Sequence, residues 1–206
     1  MRQRLPKHFL KSVSGNEFTP DFYIQEPYVS KVDKESVIET VYNNTTIKAS
    51  NGYIEIIKRG WTDGFIRFKY IDNKIKFYGL QETKRNVRPT AIQLTKQLIQ
   101  TLGYYSQLSG SCKNECLVFC LNSAYFYSYI LKEDIIDLLE QAIPIIQASN
   151  ISASRLYKEC SEATNLVKSW VDKNLNKCHI SLLDTDCNAK SFQINNIFRE
   201  IYLSCL

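Results

Sequence analysis

Apolar and polar positions alternate through GYIEIIKRG, GFIRFKYI and KIKFYGLQETK, three runs between Gly52 and Lys84 that are rich in β-branched and aromatic residues. Asp72-Asn73 supplies a tight turn between the last two, so the pattern predicts a three-stranded meander. Upstream, residues 1 to 30 carry Pro6, Pro20 and Pro27 and no sustained period, which reads as an irregular arm with one short strand. Asp33 is a helix cap, and Val37, Ile38, Val41 and Tyr42 give the following segment an apolar face. Beyond Lys84 the period changes from two to about 3.6. Asn86 and Pro89 open a helix from Thr90 to about Leu108, with Ile92, Leu94, Leu98, Ile99, Leu102 and Tyr105 as its apolar stripe.

Two further strands are expected at CLVFCLNS and YFYSYI, and then a helix at KEDIIDLLEQAIPIIQ, bent or ended near Pro144. Strands, helix and strand in that order predict an α/β fold, a central mixed sheet with flanking helices. From residue 148 the pattern weakens. ISASRLYKECSEATNLVKSWVDKNL reads as one amphipathic helix with Leu156, Leu166, Val167 and Trp170, and the last thirty residues show no clear motif. The expected organisation is an α/β domain over 1–147 and a helical appendage, or the start of a connector, over 148–206.

Composition adds limits. The 206 residues are 44% hydrophobic and 12% aromatic, enough to fold and to bury a core. No apolar run reaches the length of a membrane span, and MRQRLPKHFLKSVSGNEF has no signal-peptide core, so a cytoplasmic protein is expected. Seven cysteines fit reduced thiols better than a disulfide framework. Cys112, Cys116 and Cys120 are evenly spaced, but His8 and His179 lie far off, and buried structural cysteine is a better reading than zinc. The net charge of +5 is mild. Its local density is not: Lys58, Arg59, Arg67, Lys69, Lys74, Lys76, Lys84, Arg85, Arg88 and Lys96 make a nucleic-acid partner plausible, against the plainer reading of a solvated sheet face.

The chemistry centres on Glu82 and Lys84. Residues i and i+2 of a strand share a face, which puts a carboxylate beside an ammonium. The first can hold a divalent ion and the second can steer a water, a minimal kit for phosphodiester hydrolysis. A hard cation needs a further carboxylate. If the Asp72-Asn73 hairpin pairs symmetrically, positions summing to about 145 face each other, and Asp63 falls opposite Glu82, about 5 Å away between β-carbons. At 100° per residue, Gln93, Gln97, Gln100 and Tyr104 form one polar stripe roughly 60° wide. That stripe is either a solvated face or a row of amides aimed at a phosphate backbone.

An acid beginning a strand, a hairpin, Glu-x-Lys ending the next strand and a helix bearing glutamine and tyrosine together resemble the PD-(D/E)XK nuclease superfamily. More narrowly, the pattern over residues 33 to 130 is similar to the nuclease domains of type I restriction enzymes and of methyltransferase-fused restriction enzymes. The resemblance implies a restriction-endonuclease-like sheet and a metal-dependent DNA endonuclease of a restriction-modification or related defence system. It also implies magnesium, with manganese as an alternative, and methyltransferase or specificity subunits as partners. Residue by residue, it makes Asp63 and Glu82 metal ligands with the carbonyl of Thr83 beside them, and Lys84 the water-orienting or charge-stabilising group. Gln100 and Tyr104 would be the helix motif, with Gln93 and Gln97 as rival glutamines. Thr62 stands where the superfamily's motif has proline; Pro20-Asp21 matches literally but lies some sixty residues from Glu82, and Glu39 is a further acid on the first predicted helix. Two other classes compete: a non-cleaving nucleic-acid-binding module of the same fold, and a protein-interaction domain in which Glu82 and Lys84 are only a surface ion pair.

Overall fold

A computed structural model of the chain describes residues 19–25, 47–50, 53–56, 64–69, 75–108 and 110–204. The helix expected after Asp33, the Asp72-Asn73 turn, Glu39 and Asp63 all lie outside the described residues. Among the described residues, eight strands form two sheets: β1 (Thr19–Gln25), β4 (Gly64–Lys69), β5 (Ile75–Lys84), β6 (Val118–Ser123), β7 (Phe126–Leu131) and β8 (His179–Leu182) stand in that order in one, while β2 (Ile47–Ser50) and β3 (Tyr53–Ile56) pair in the other. The three-stranded meander is therefore corrected. The GYIEIIKRG strand pairs with β2, and β4 has β1, from the aromatic arm, on the side away from β5.

All neighbours in the larger sheet are antiparallel except β5 and β6, which run parallel. A parallel pair needs a crossover, supplied here by α1 (Ala91–Tyr105) and α2 (Gly110–Glu115). Asn86 takes the left-handed backbone at φ 46°, a conformation that asparagine tolerates, in the bend that turns the chain out of β5. Thr90 caps α1, its hydroxyl accepting from the Gln93 N–H at 3.3 Å.

Three more elements complete the helical layer: α3 (Ile136–Ser149), the short α4 (Leu156–Glu159) and α5 (Ser161–Lys173). Helix α3 runs on through Pro144 and stops only at Asn150, at φ 54°. Leu138, Leu139 and Ala142 before the proline and Ile146 after it are buried, so packing holds both halves while the exposed Pro144 ring faces outward. The single amphipathic helix expected after residue 148 is broken at Cys160, whose backbone leaves the helical region at φ −114° and ψ 79°. Thr164 Oγ1 donates across the break to the carbonyls of Leu156 and Tyr157, at 3.2 and 3.3 Å.

Leu80, Phe119, Leu121, Phe126 and Ile130 of the strands share one core with Leu94, Leu98, Ile99 and Leu102 of α1 and with Ile146, Leu156, Val167 and Val171. Residues on both sides of position 148 thus build the same core. The HISL segment, which carried no motif, is the edge strand β8, and α6 (Cys187–Ser204) follows it with Ile194, Ile197 and Ile201 buried on one stripe. Cys116 and Cys120 are buried thiols, in line with a structural role.

Gly103 lets α1 meet the following layer closely. A Cβ there would stand 2.6 Å from Leu156 Cδ1, 2.7 Å from Ala153 Cβ and 3.0 Å from Ala153 Cα. Alanine gains about 1 kcal/mol of helix propensity over glycine, but overpacking against backbone costs roughly 1–3 kcal/mol, so the clash should win. Gly103→Ala is expected to lower the urea midpoint; a raised midpoint would show that α1 can move outward freely.

Candidate functional site at the ends of the parallel strands

The pairs Gly64 with Gln81, Phe65 with Leu80 and Ile66 with Gly79 carry the register expected for the hairpin, before a bulge between Ile66 and Arg67 shifts it. Asp63 itself is not described. Pro20 lies at the other end of the sheet, paired with Phe68, whose own partner Lys76 is six residues before Glu82, a separation of about 20 Å along β5.

Glu82 and Lys84 emerge on the face of β5 that carries Leu80 and packs against α1. There the Lys84 ammonium is ion-paired with Glu82 Oε1 and donates to Gln100 Oε1 at 2.9 Å. Gln100 Nε2 in turn donates to the Tyr104 hydroxyl at 2.5 Å. The Glu82 side chain is fully buried, whereas Lys84 is 36% exposed, so a dry carboxylate is linked to solvent through an ammonium. Such a buried charge requires a partner, and Lys84 supplies it.

The glutamine stripe is not a solvated face. Gln97 is fully buried and Tyr104 is 3% exposed, while Gln93 and Gln100 are half-buried. Among the three rival glutamines, Gln100 is the one held against Lys84. Gln97 instead ties α1 to both parallel strands, its Nε2 donating to the Asn122 carbonyl at 2.9 Å and to the Glu82 carbonyl at 3.4 Å. Gln93 lies a turn earlier, in the first turn of α1.

Thr83 points to the opposite face, where a buried polar run connects Tyr127, Gln81, Thr83 and Asn122. The Tyr127 hydroxyl donates to Gln81 Oε1 at 3.0 Å, Gln81 Nε2 to Thr83 Oγ1 at 3.1 Å, and Thr83 Oγ1 to Asn122 Oδ1 at 2.7 Å. Asn122 therefore anchors both faces, through its side chain to Thr83 and through its carbonyl to Gln97. Neither strand alternation nor helical spacing marks it in the sequence. Its one signal was an asparagine closing an otherwise apolar strand run, in CLVFCLNS.

The site lies where β5 and β6 end together, Glu82 beside Leu121 and Lys84 beside Ser123. Ligands of open α/β sheets bind outside the carboxyl ends of parallel strands. No family model, curated protein or solved structure matches the chain. The site's chemistry therefore rests on its own geometry. Among the described residues, no three His, Cys, Asp or Glu side chains gather as a metal site, and no helix is long and apolar enough to cross a membrane.

Proposed function

We propose that the chain is a magnesium-dependent DNA endonuclease of the PD-(D/E)XK kind, working in a restriction-modification or related defence system. The observation that carries this reading is the hydrogen-bonded run from Glu82 through Lys84 and Gln100 to Tyr104, which joins the Glu-x-Lys strand to the glutamine-tyrosine helix. A surface ion pair beside a solvated helix would not require a fully buried carboxylate and a nearly buried tyrosine. Methyltransferase or specificity subunits would be the protein partners, and manganese could replace magnesium.

The donors this reading assigns would suit a hard cation: the Glu82 carboxylate and the Thr83 carbonyl, with Asp63 proposed as the second acid, are all oxygens. When bound, the ion would lower the pKa of a water and offset charge on the scissile phosphate. The chain's own residues do the rest. An ammonium has three N–H donors. Glu82 and Gln100 take two from Lys84, and the third is left for a phosphate oxygen or the attacking water. Gln100, fixed by Tyr104, aims that ammonium rather than contributing charge. Gln97 keeps α1 in register with both strand ends, so Lys84 and Gln100 stay within reach of each other.

The purified protein should cut DNA in magnesium and lose that activity in EDTA. Supercoiled plasmid, linear duplex and single-stranded DNA are the substrates to test. Intact DNA in every form, with magnesium and with manganese, would sink the proposal.

A further inference from the structure

Beside Lys84 lies a feature the hydrolytic chemistry does not use. Tyr125 sits in the two-residue turn between β6 and β7, just beyond Ser123, the β6 neighbour of Lys84, and the residue is 45% exposed. The Arg88 guanidinium lies over that ring, 5.8 Å from its centroid, on the loop that leads from Lys84 to α1.

An exposed ring is ordinary; its mounting here is not. The Tyr125 N–H donates to Ser123 Oγ at 3.1 Å, and Ser123 Oγ donates to the Val87 carbonyl at 2.8 Å, binding turn and loop together. The Tyr125 carbonyl accepts from the Leu183 N–H at 2.9 Å, and the Ala124 carbonyl accepts from Lys190 Nζ at 2.7 Å. Backbone and loop are thus held at four points while the ring and the exposed Arg88 face outward. Arg85 is exposed on the same loop, and Asp184 and Asp186 are exposed on the connection from β8 to α6.

We infer that Arg88 and Tyr125 form a stacking platform for an unpaired nucleobase next to the phosphate held at Lys84, so the preferred substrate is DNA with single-stranded nucleotides at the cleavage point. The inference rests on the nuclease reading. A ring can stack only on a base face, and bases in a duplex present their edges while their faces are covered by neighbours. A fixed ring loses little freedom on binding, and a cation beside it suits the adjoining phosphate.

Binding should be measured by fluorescence anisotropy in EDTA, where no cleavage occurs, using a labelled single strand of about 20 nucleotides, long enough to cover a single-strand site, and the corresponding blunt duplex. The single strand should bind the parent protein more tightly. Tyr125→Ala should weaken that binding by about 5- to 150-fold, the range for losing one stacked base, and leave duplex binding nearly unchanged. Tyr125→Phe should restore it. Equal affinity of parent and Tyr125→Ala for the single strand, equal losses on both DNAs, or no binding of either DNA would overturn the platform. Because the assay needs no metal, a protein that never cuts can still pass it. Conversely, a protein that cuts while Tyr125→Ala binds as the parent does would lose the platform and keep the nuclease.

Discussion

Replacing Glu82 by glutamine is expected to lower magnesium-dependent cleavage about a thousandfold, comparable to removing a principal electrostatic group from a hydrolytic site, while leaving the fold in place. Glutamine has nearly the shape of glutamate, and its Oε1 can still accept from Lys84, so the strand end keeps its packing. What disappears is the charge that would hold the cation. Lys84→Met should be nearly as damaging to cleavage for a different reason, since it deletes the donor left for phosphate or water. The two differ in stability. Lys84→Met strips the ammonium from a carboxylate that is fully buried, a loss of roughly 1–3 kcal/mol, moderated because Lys84 itself stands partly in water. Single-turnover cleavage rates and urea midpoints, measured on the same preparations, separate the effects. Variants that cut as fast as the parent would remove both residues from the mechanism.

The parts of this site that were legible in the sequence are those set by local periodicity. Strand alternation put Glu82 and Lys84 on one face, and the 3.6-residue period put Gln97, Gln100 and Tyr104 on one stripe; both follow from backbone geometry alone. Which neighbour that stripe meets is a tertiary fact. The sequence left it open between solvent and strand, and the burial of Gln97 and Tyr104, with Gln97 bonded to carbonyls of β5 and β6, decides it. Strand pairing is equally non-local. The FYIQ stretch in the arm and GYIEIIKRG are both apolar enough to flank β4, and no periodicity chooses between them; β1 takes the place, and β3 pairs with β2 instead. The break at Cys160 escaped because amphipathic spacing continues across it, and β8 escaped because an edge strand of four residues, two exposed and two half-buried, has little pattern to show.

The same neighbour-dependence makes Phe119 a residue on which stability should depend heavily. It is fully buried on β6, between Leu80 of β5 and Ile130 of β7, and the Tyr105 ring of α1 meets it edge-on with centroids 5.4 Å apart. Phe119→Ala should cost about 3–5 kcal/mol, because the sheet and α1 are fixed by other contacts and cannot close the hole. Domains of this size hold only about 5–15 kcal/mol in all, so the variant should be poised near unfolding. Ile130→Val, one methylene lost from the same row, should cost only about 0.5–1.5 kcal/mol and serves as the scale. Tyr105 gives a second readout. Burial first, and then Cys116, pushes its phenol from 10.0 up to about 12. A phenol whose pKa is raised on folding contributes stability that is fully present below about pH 10 and is lost as pH rises through about 12. Opening the core beside the ring should move the phenol back toward its ordinary value and flatten that alkaline loss. A midpoint no lower than that of Ile130→Val, with Tyr105 still titrating near its raised value of about 12, would mean that α1 settles onto the sheet when the ring is removed, and that the core beneath the site is softer than its packing implies.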